Sequence, residues 1–196
     1  VPTKTVENTT EKPSARDRLL TAATELFYEE GIHTVGIDRV IERAGVAKAT
    51  LYSTIGSKYE LIRTYLAGRH DVRRQRMEEG LARFDTPRER LLGVFDVIGE
   101  LFAEPNYRGC AFANASAEAQ LGSPILAETD RYRAWVRTLF LDLATAVGAS
   151  DPAALAAQLV LLYDGAGVGA RMDRNVEAAS AARAIAATLV DAAVAG

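Results

Sequence analysis

The stretch IDRVIERAGVAKATLYSTIGSKYEL, residues 37–61, decides the fold, and its charge pattern is the first thing to explain. From Arg43 to Lys58 sixteen residues pass without a carboxylate, in a chain of 196 residues with a formal net charge of −3. The wider window from Arg39 to Arg63 holds five basic residues (Arg39, Arg43, Lys48, Lys58, Arg63) against Glu42 and Glu60. That is a local +3, which leaves −6 for the remainder. A solvated surface stretch with no special role can look like this. A segment that lies against a polyanion has to, because a carboxylate there repels phosphate.

The apolar spacing inside the stretch is helical. Ile37, Val40, Ile41 and Ala44 recur on one face and Gly45 closes it. A second short helix is expected from Ala47 to Thr54, and the capping-box spacing of Ser57 and Glu60 starts the next helix at Lys58. Two short helices joined by a tight Gly turn are a helix-turn-helix. In that arrangement the first helix lies over the DNA backbone and the second enters the major groove. Val46 and Leu51 then face the packing, while Ala47 and Ala49 are small enough for close approach. Lys48 can reach base edges or phosphate, and Thr50 and Tyr52 offer hydroxyls to phosphate oxygens. Lys58, beside the free N–H groups of a helix start, makes a further phosphate site. Taken alone, a helix–Gly–helix pair fits plain structural packing equally well.

Outward from this stretch nearly everything reads as helix. SARDRLLTAATELFYEEG has Ser14 as cap, Asp17 three residues on and Gly31 as stop. A long helix is expected from Lys58 to about Leu81, then DTPRERLLGVFDVIGELFAE with Asp85 or Thr86 as cap and Pro87 in the first turn. NYRGCAFANASAEAQLG gives a shorter helix and SPILAETDRYRAWVRTLFLDLATAVG a long one. Two more run from Pro152 to about Met172 and, capped by Asn175, from Val176 to about Val194. No window alternates with period two between hairpin signals. The expected fold class is all-α, with about nine helices. Hydrophobic content of 48% with 25% charged residues suits a folded globular chain. Cys110 is the only cysteine, so no internal disulfide is possible and a reducing, cytoplasmic setting is the simplest expectation. The polar first dozen residues hold no apolar core of a signal peptide, and no uninterrupted apolar run approaches a membrane span.

The order and spacing of Ala22, Ala23, Leu26, Phe27 and Gly31, then Ile37, Val40 and Ala44-Gly45-Val46, then Thr50-Leu51-Tyr52 and Ser57-Lys58 with Leu61, closely resemble the DNA-binding domain of the TetR family of transcriptional regulators. The likeness covers residues 16–62, roughly a third of the chain. It implies a three-helix DNA-binding domain over residues 14–57, preceded by a flexible arm over 1–13. A ligand-binding and dimerisation domain over 58–196 follows, with 58–81 as linking helix. By position it assigns DNA contacts to Lys48, Ala49, Thr50, Tyr52 and Lys58. Two departures stand out. The family's usual Thr-Ser before the second helix is Val35-Gly36 here, with Thr34 as the substitute hydroxyl one residue early. Its usual aromatic three residues after Tyr52 is Ile55.

For the rest of the chain, YRGCAFANASAE is the most informative piece. Cys110, Asn114, Ala117 and Leu121 share one helical face, with Phe112 and Ser116 beside them. The Gly-Cys-x-Phe-x-Asn pattern resembles one subset of the family's C-terminal domains. Cys110, Phe112 and Asn114, with Tyr132, Trp135 and Tyr163 as aromatic walls, are the candidate ligand-binding residues. Plain core roles for Phe112 and Trp135, and backbone satisfaction for Asn114, are the alternatives. Cys110 reads as a small buried hydrophobe, with a redox role only if a cation depresses its pKa. From Asp151 onward sixteen of forty-six residues are Ala, with Leu155, Leu159, Leu162, Ile185 and Leu189 at helical spacing. An intramolecular core would explain these, and the resemblance favours a homodimer formed by the last two helices.

The functional expectation is a repressor, released from a palindromic operator by a small, largely apolar or aromatic effector. The alternatives are an enzyme and a DNA-bound interaction module without a ligand. Catalytic resources are thin. His33 and His70 lack metal-ligand spacing, and there is no phosphate-binding Gly loop or nucleophile elbow. No enzyme activity, cofactor or metal is expected.

Overall fold

Side-chain caps set most of the helix starts. In the computed structural model, which describes residues 12–120 and 122–195, Ser14 Oγ accepts the Asp17 N–H at 3.1 Å while the Asp17 carboxylate accepts the Ser14 N–H at 3.2 Å. This capping box opens α1 (Ala15–Glu30), which stops at Gly31. Two short helices follow, α2 (Ile37–Ala44) and α3 (Lys48–Thr54), and then α4 (Lys58–Leu81). Thr86 and Glu89 build a second capping box for α5 (Pro87–Phe102), with Pro87 at its start. Next come α6 (Ala111–Glu118), α7 (Pro124–Ala146) capped by Ser123, and α8 (Pro152–Met172) capped by Asp151. The last is α9 (Ala178–Val194). Among the described residues there are nine helices and no strand.

Beyond α4 two expected helix starts move. Residues 106–109 stay irregular and α6 begins only after Cys110, because Gly109 takes a φ of +92° that no helix contains. Asn175 does not cap α9: its Oδ1 accepts the Glu177 N–H at 3.0 Å, a local turn that delays the helix to Ala178. The arm expected over 1–13 lies outside the described residues as far as position 11, as does Leu121, the expected face partner of Cys110.

The chain divides into two compact units, Val1–Ile62 and Arg63–Gly196. The division falls inside α4, between Ile62 and Arg63. In the first unit Leu19, Ala22, Ala23, Leu26 and Phe27 of α1 share a core with Val35, Val40, Ala44 and Leu51. In the second, α5, α7, α8 and α9 pack together around Phe95, Phe140, Leu159 and Ala186, and α6 lies against α7. Close fits depend on small residues here: a Cβ at Gly93 would sit 2.3 Å from the Phe84 ring, and one at Gly80 would sit 2.4 Å from Val97. Helix α8 is long and apolar enough by composition to cross a membrane. Its Leu155, Leu159 and Tyr163 are buried inside the subunit, however, and Asp164 is ion-paired to Arg133, as suits a core helix.

Candidate nucleic-acid interface and ligand cavity

Gly45 makes the turn between α2 and α3. It sits at φ 62°, ψ 45°, and its N–H returns to Glu42 while the Val46 N–H reaches Ile41 at 3.3 Å. This paired closure needs a left-handed residue, which Gly adopts without a Cβ clash. Arg18 of α1 fastens the same corner: its Nε donates to the Ala44 carbonyl at 3.1 Å. Nothing in the sequence pattern marked Arg18, since its position on α1 reads as solvated.

Beyond the turn, Ala47 is extended and caps α3 without a side-chain bond, so the helix starts at Lys48 and not at Ala47. Leu51 is fully buried and anchors the helix. Lys48, Ala49, Tyr52, Ser53 and Thr54 are left exposed, and Thr50 is half-buried. Tyr52 is 49% exposed, unusual for an aromatic side chain with a folded core beside it. Ile55 closes α3 half-buried, with its N–H on Leu51 at 2.8 Å. Lys58 is half-buried at the first residue of α4, where Ser57 Oγ accepts the Glu60 N–H at 3.1 Å. Thr34 is exposed in the turn before α2 and does not take the expected capping place. The cap is Gly36, which has no side chain to offer, and buried Val35 separates the two.

The local charge excess is partly balanced in space. Arg39 pairs with Glu30, Arg43 with Glu25 at 2.7 Å, and Lys48 with Asp38 at 2.9 Å. None of the three carboxylates belongs to the sequence window: Glu25 and Glu30 come from α1, and Asp38 directly precedes Arg39. All three pairs are exposed, where an ion pair holds its partners weakly and a phosphate can replace the carboxylate.

The second unit holds a cavity of about 610 Å³, open to solvent and lined by residues of α4 to α8 and the α5–α6 connection. Five of the six candidate ligand residues line it: Cys110, Phe112, Asn114, Tyr132 and Tyr163. Phe112 stacks on Tyr132 with ring centroids 3.8 Å apart and planes 6° from parallel. The Tyr132 and Tyr163 hydroxyls meet at 2.8 Å. Burial pushes the Tyr132 phenol well above its usual pKa of 10, so it remains protonated. Asn114 donates from Nδ2 to the Arg108 carbonyl at 3.3 Å, and Cys110 is a half-buried free thiol at the start of α6. Trp135 does not line the cavity. It packs near His70 and Tyr132, with centroids 5.4 and 5.7 Å away.

The lining is richer in charge than the sequence suggested. Arg73, Asp130, Arg133, Asp164 and Arg171 all contribute. Arg133 grips both oxygens of Asp164, at 2.7 and 2.8 Å, and Arg73 Nη1 donates to the Tyr163 hydroxyl at 3.2 Å. Arg73 hides in the run DVRRQRM, which resembles a solvated face. The available signal was spacing: Leu66, His70 and Met77 are buried on the same side of α4. Among the described residues no group of three or more His, Cys, Asp or Glu could hold a metal ion.

The expected dimer residues divide. Leu155 and Leu159 are buried in the subunit's own core and cannot face a partner. Leu162 and Leu189 are half-buried, and Ile185 is 51% exposed. One position round α8 from the buried stripe, Leu161, Val168 and Met172 stand exposed at spacings of seven and four.

A protein-family model described as bacterial regulatory proteins, tetR family, matches residues 19–65. The solved structure of SCO4454, a TetR-family transcriptional regulator from Streptomyces coelicolor, aligns with 92% of this chain and 96% of its own. It does so at 31% identity with a TM-score of 0.86. The chain belongs to the TetR family. A second family structure, sav143 from Streptomyces avermitilis, is also 31% identical over 92% of this chain and 98% of its own, with a TM-score of 0.81. Among curated relatives, the transcriptional activator FasR of Mycolicibacterium smegmatis is 48% identical over 52 residues, and the regulator UidR of Escherichia coli 34% over 80. These matches span only 22% and 37% of those proteins, so the likeness to them is concentrated in one segment. As a TetR-family protein the chain is a helix-turn-helix transcriptional regulator.

Proposed function

We propose that this regulator is a homodimeric repressor that binds a palindromic operator and is released by a small effector with an apolar or aromatic body. The cavity of about 610 Å³ in the second unit is the observation that carries this reading. A DNA-bound module with no ligand would have no use for an open, aromatic-walled space of drug-like size. Contacts to DNA would come from Lys48, Ala49, Thr50 and Tyr52 on α3, from Lys58, and from Thr34 at the turn. One reading head spans only a few base pairs, so specificity calls for two copies on a symmetric site. The exposed Leu161 and Ile185, with the half-buried Leu162 and Leu189, would join the two copies through α8 and α9. Helix α4 begins with Lys58 and carries Arg73 in the cavity, which makes it the element through which effector and operator occupancy bias one another.

The test is footprinting on the DNA flanking the protein's own gene, with and without aromatic and aliphatic compounds. The reading expects a protected two-fold symmetric site that is lost when a compound occupies the cavity. Protection that persists with the cavity saturated overturns the release mechanism. Transcription that rises with protection makes the protein an activator, as FasR is named.

A further inference from the structure

The cavity holds a cation that the reading above leaves without a role. Leu66, His70, Arg73 and Met77 follow one another on α4 at spacings of four, three and four, and the other three are buried. Arg73 therefore projects from the inward face of the helix into the cavity. A guanidinium has five N–H donors and stays charged at any ordinary pH. Among the described residues its one partner is the Tyr163 hydroxyl. Burial works against the charge, and the bond to the Tyr163 hydroxyl helps to hold the charged form.

The other charges of the lining do not neutralise it. Both oxygens of Asp164 are taken by Arg133. Asp130 is exposed, and Arg171, also exposed, has no carboxylate partner among the described residues. Three guanidiniums thus face two carboxylates, a local +1 in a chain of −3.

Resting on the sensor reading, we infer that the effector is an organic monoacid: an aromatic or aliphatic body with one carboxylate, seated on Arg73. A neutral apolar body would displace the solvent serving the free Arg73 donors and leave them buried without acceptors. An organic cation would meet like charge. A carboxylate instead accepts two parallel N–H bonds from the guanidinium fork and brings the lining to neutrality. Tyr163 supplies a further donor. The 2.8 Å contact between the Tyr132 and Tyr163 hydroxyls can run in either direction; when Tyr132 donates, Tyr163 accepts from it and from Arg73, and its own proton is available for the second carboxylate oxygen. The stacked Phe112–Tyr132 pair, with Ile98 and Phe102, offers the apolar wall for the body.

The experiment titrates the full chain with matched pairs: benzoic, phenylacetic, cinnamic, naphthoic and octanoic acids, each against its primary amide, followed by calorimetry. The acids that bind are expected to do so about ten- to hundredfold more tightly than their amides, the worth of a charge-assisted pair. Arg73→Met removes that preference, Arg73→Lys keeps part of it, and Tyr163→Phe weakens the acids severalfold and the amides less, because a bond to a carboxylate is charge-assisted. Circular dichroism melts check that each variant folds, and Tyr163→Phe carries the comparison if Arg73→Met does not. Amides that bind as tightly as acids, or an acid preference that survives Arg73→Met, overturn the inference while the sensor reading stands. Failure of both series to bind removes the sensor reading, and the inference with it.

Discussion

Lys48, the first residue of the reading helix, is held by Asp38, the second residue of the helix before it, with Nζ 2.9 Å from Oδ1. The hydrogen bond to Asp38 is the main reason the Lys48 pKa is raised. Both side chains are exposed, so the pair does little for stability, and a DNA phosphate would have to displace Asp38 to take the ammonium. Asp38→Asn removes the competing carboxylate. It should tighten operator binding severalfold at unchanged melting temperature, most visibly at low salt. Lys48→Ala should alter base preference in a selection experiment. Lys58→Ala should weaken all sequences about equally and lower the salt slope by about one per contact. Weaker binding by Asp38→Asn would show that the carboxylate positions Lys48 and does not restrain it.

Gly45 isolates a backbone effect. A Cβ added there meets nothing within 4 Å, so no neighbour has to move. Its left-handed φ of 62° is the whole obstacle. Gly45→Ala should therefore cost about 1–2 kcal/mol, the left-handed penalty of an L-residue, and Gly45→Asn clearly less. Chemical denaturation of the three proteins checks the order. Equal losses for Ala and Asn would place the cost elsewhere than in φ.

The all-α fold and the reading head were legible because helix caps and turns are local chemistry: Ser14 with Asp17, Thr86 with Glu89 and Gly45 each act within a few residues. The cavity was half legible. Phe112, Tyr132 and Tyr163 are chemically conspicuous beside the Gly-Cys-x-Phe-x-Asn pattern, whereas Phe102 and Tyr107 have no such marker and Arg73 and the Arg133–Asp164 pair are hidden among ordinary surface charges. Arg133 and Asp164 are thirty-one residues apart, and no local rule joins them. The same limit misplaced Leu155 and Leu159. Helical spacing shows that a stripe exists, not whether it faces the subunit's own core or a second copy.

His70 gives the second unit a pH dependence with a definite sign. It is buried against Phe112, Tyr132 and Trp135, and its Nε2 has no hydrogen-bond partner among the described residues. Burial is the main cause that lowers its pKa below 6.5; Arg74 and Arg131 assist, while Asp71 and Glu128 oppose. In the window between the lowered folded value and 6.5 the unfolded chain binds the proton and the folded chain does not. Stability contributed by neutral His70 is therefore whole above that window and is lost as the pH falls through it. Melting temperatures measured from about pH 7 to about pH 5 should fall for the wild type and fall less steeply for His70→Phe, whose ring suits the aromatic surroundings. Parallel curves for the two proteins would assign the acid loss to other groups.

The two faces of α8 make opposite predictions from residues six apart. Leu155 is 2% exposed and Leu161 72%. Truncating Leu155 to Ala opens a void in the subunit core and should cost about 2–5 kcal/mol, with the oligomeric state following only as a consequence of unfolding. Leu161→Glu touches no core. A charge on that ridge disfavours a two-fold apolar interface twice over, because each copy presents the same residue to its partner. With Ile185→Glu on α9 as companion, Leu161→Glu should give a folded monomer by sedimentation, with a far-UV spectrum like the wild type's. Operator affinity should fall by orders of magnitude, since two half-sites no longer engage as one unit. A Leu161→Glu, Ile185→Glu double variant that still sediments as a dimer would move the pairing surface away from α8 and α9.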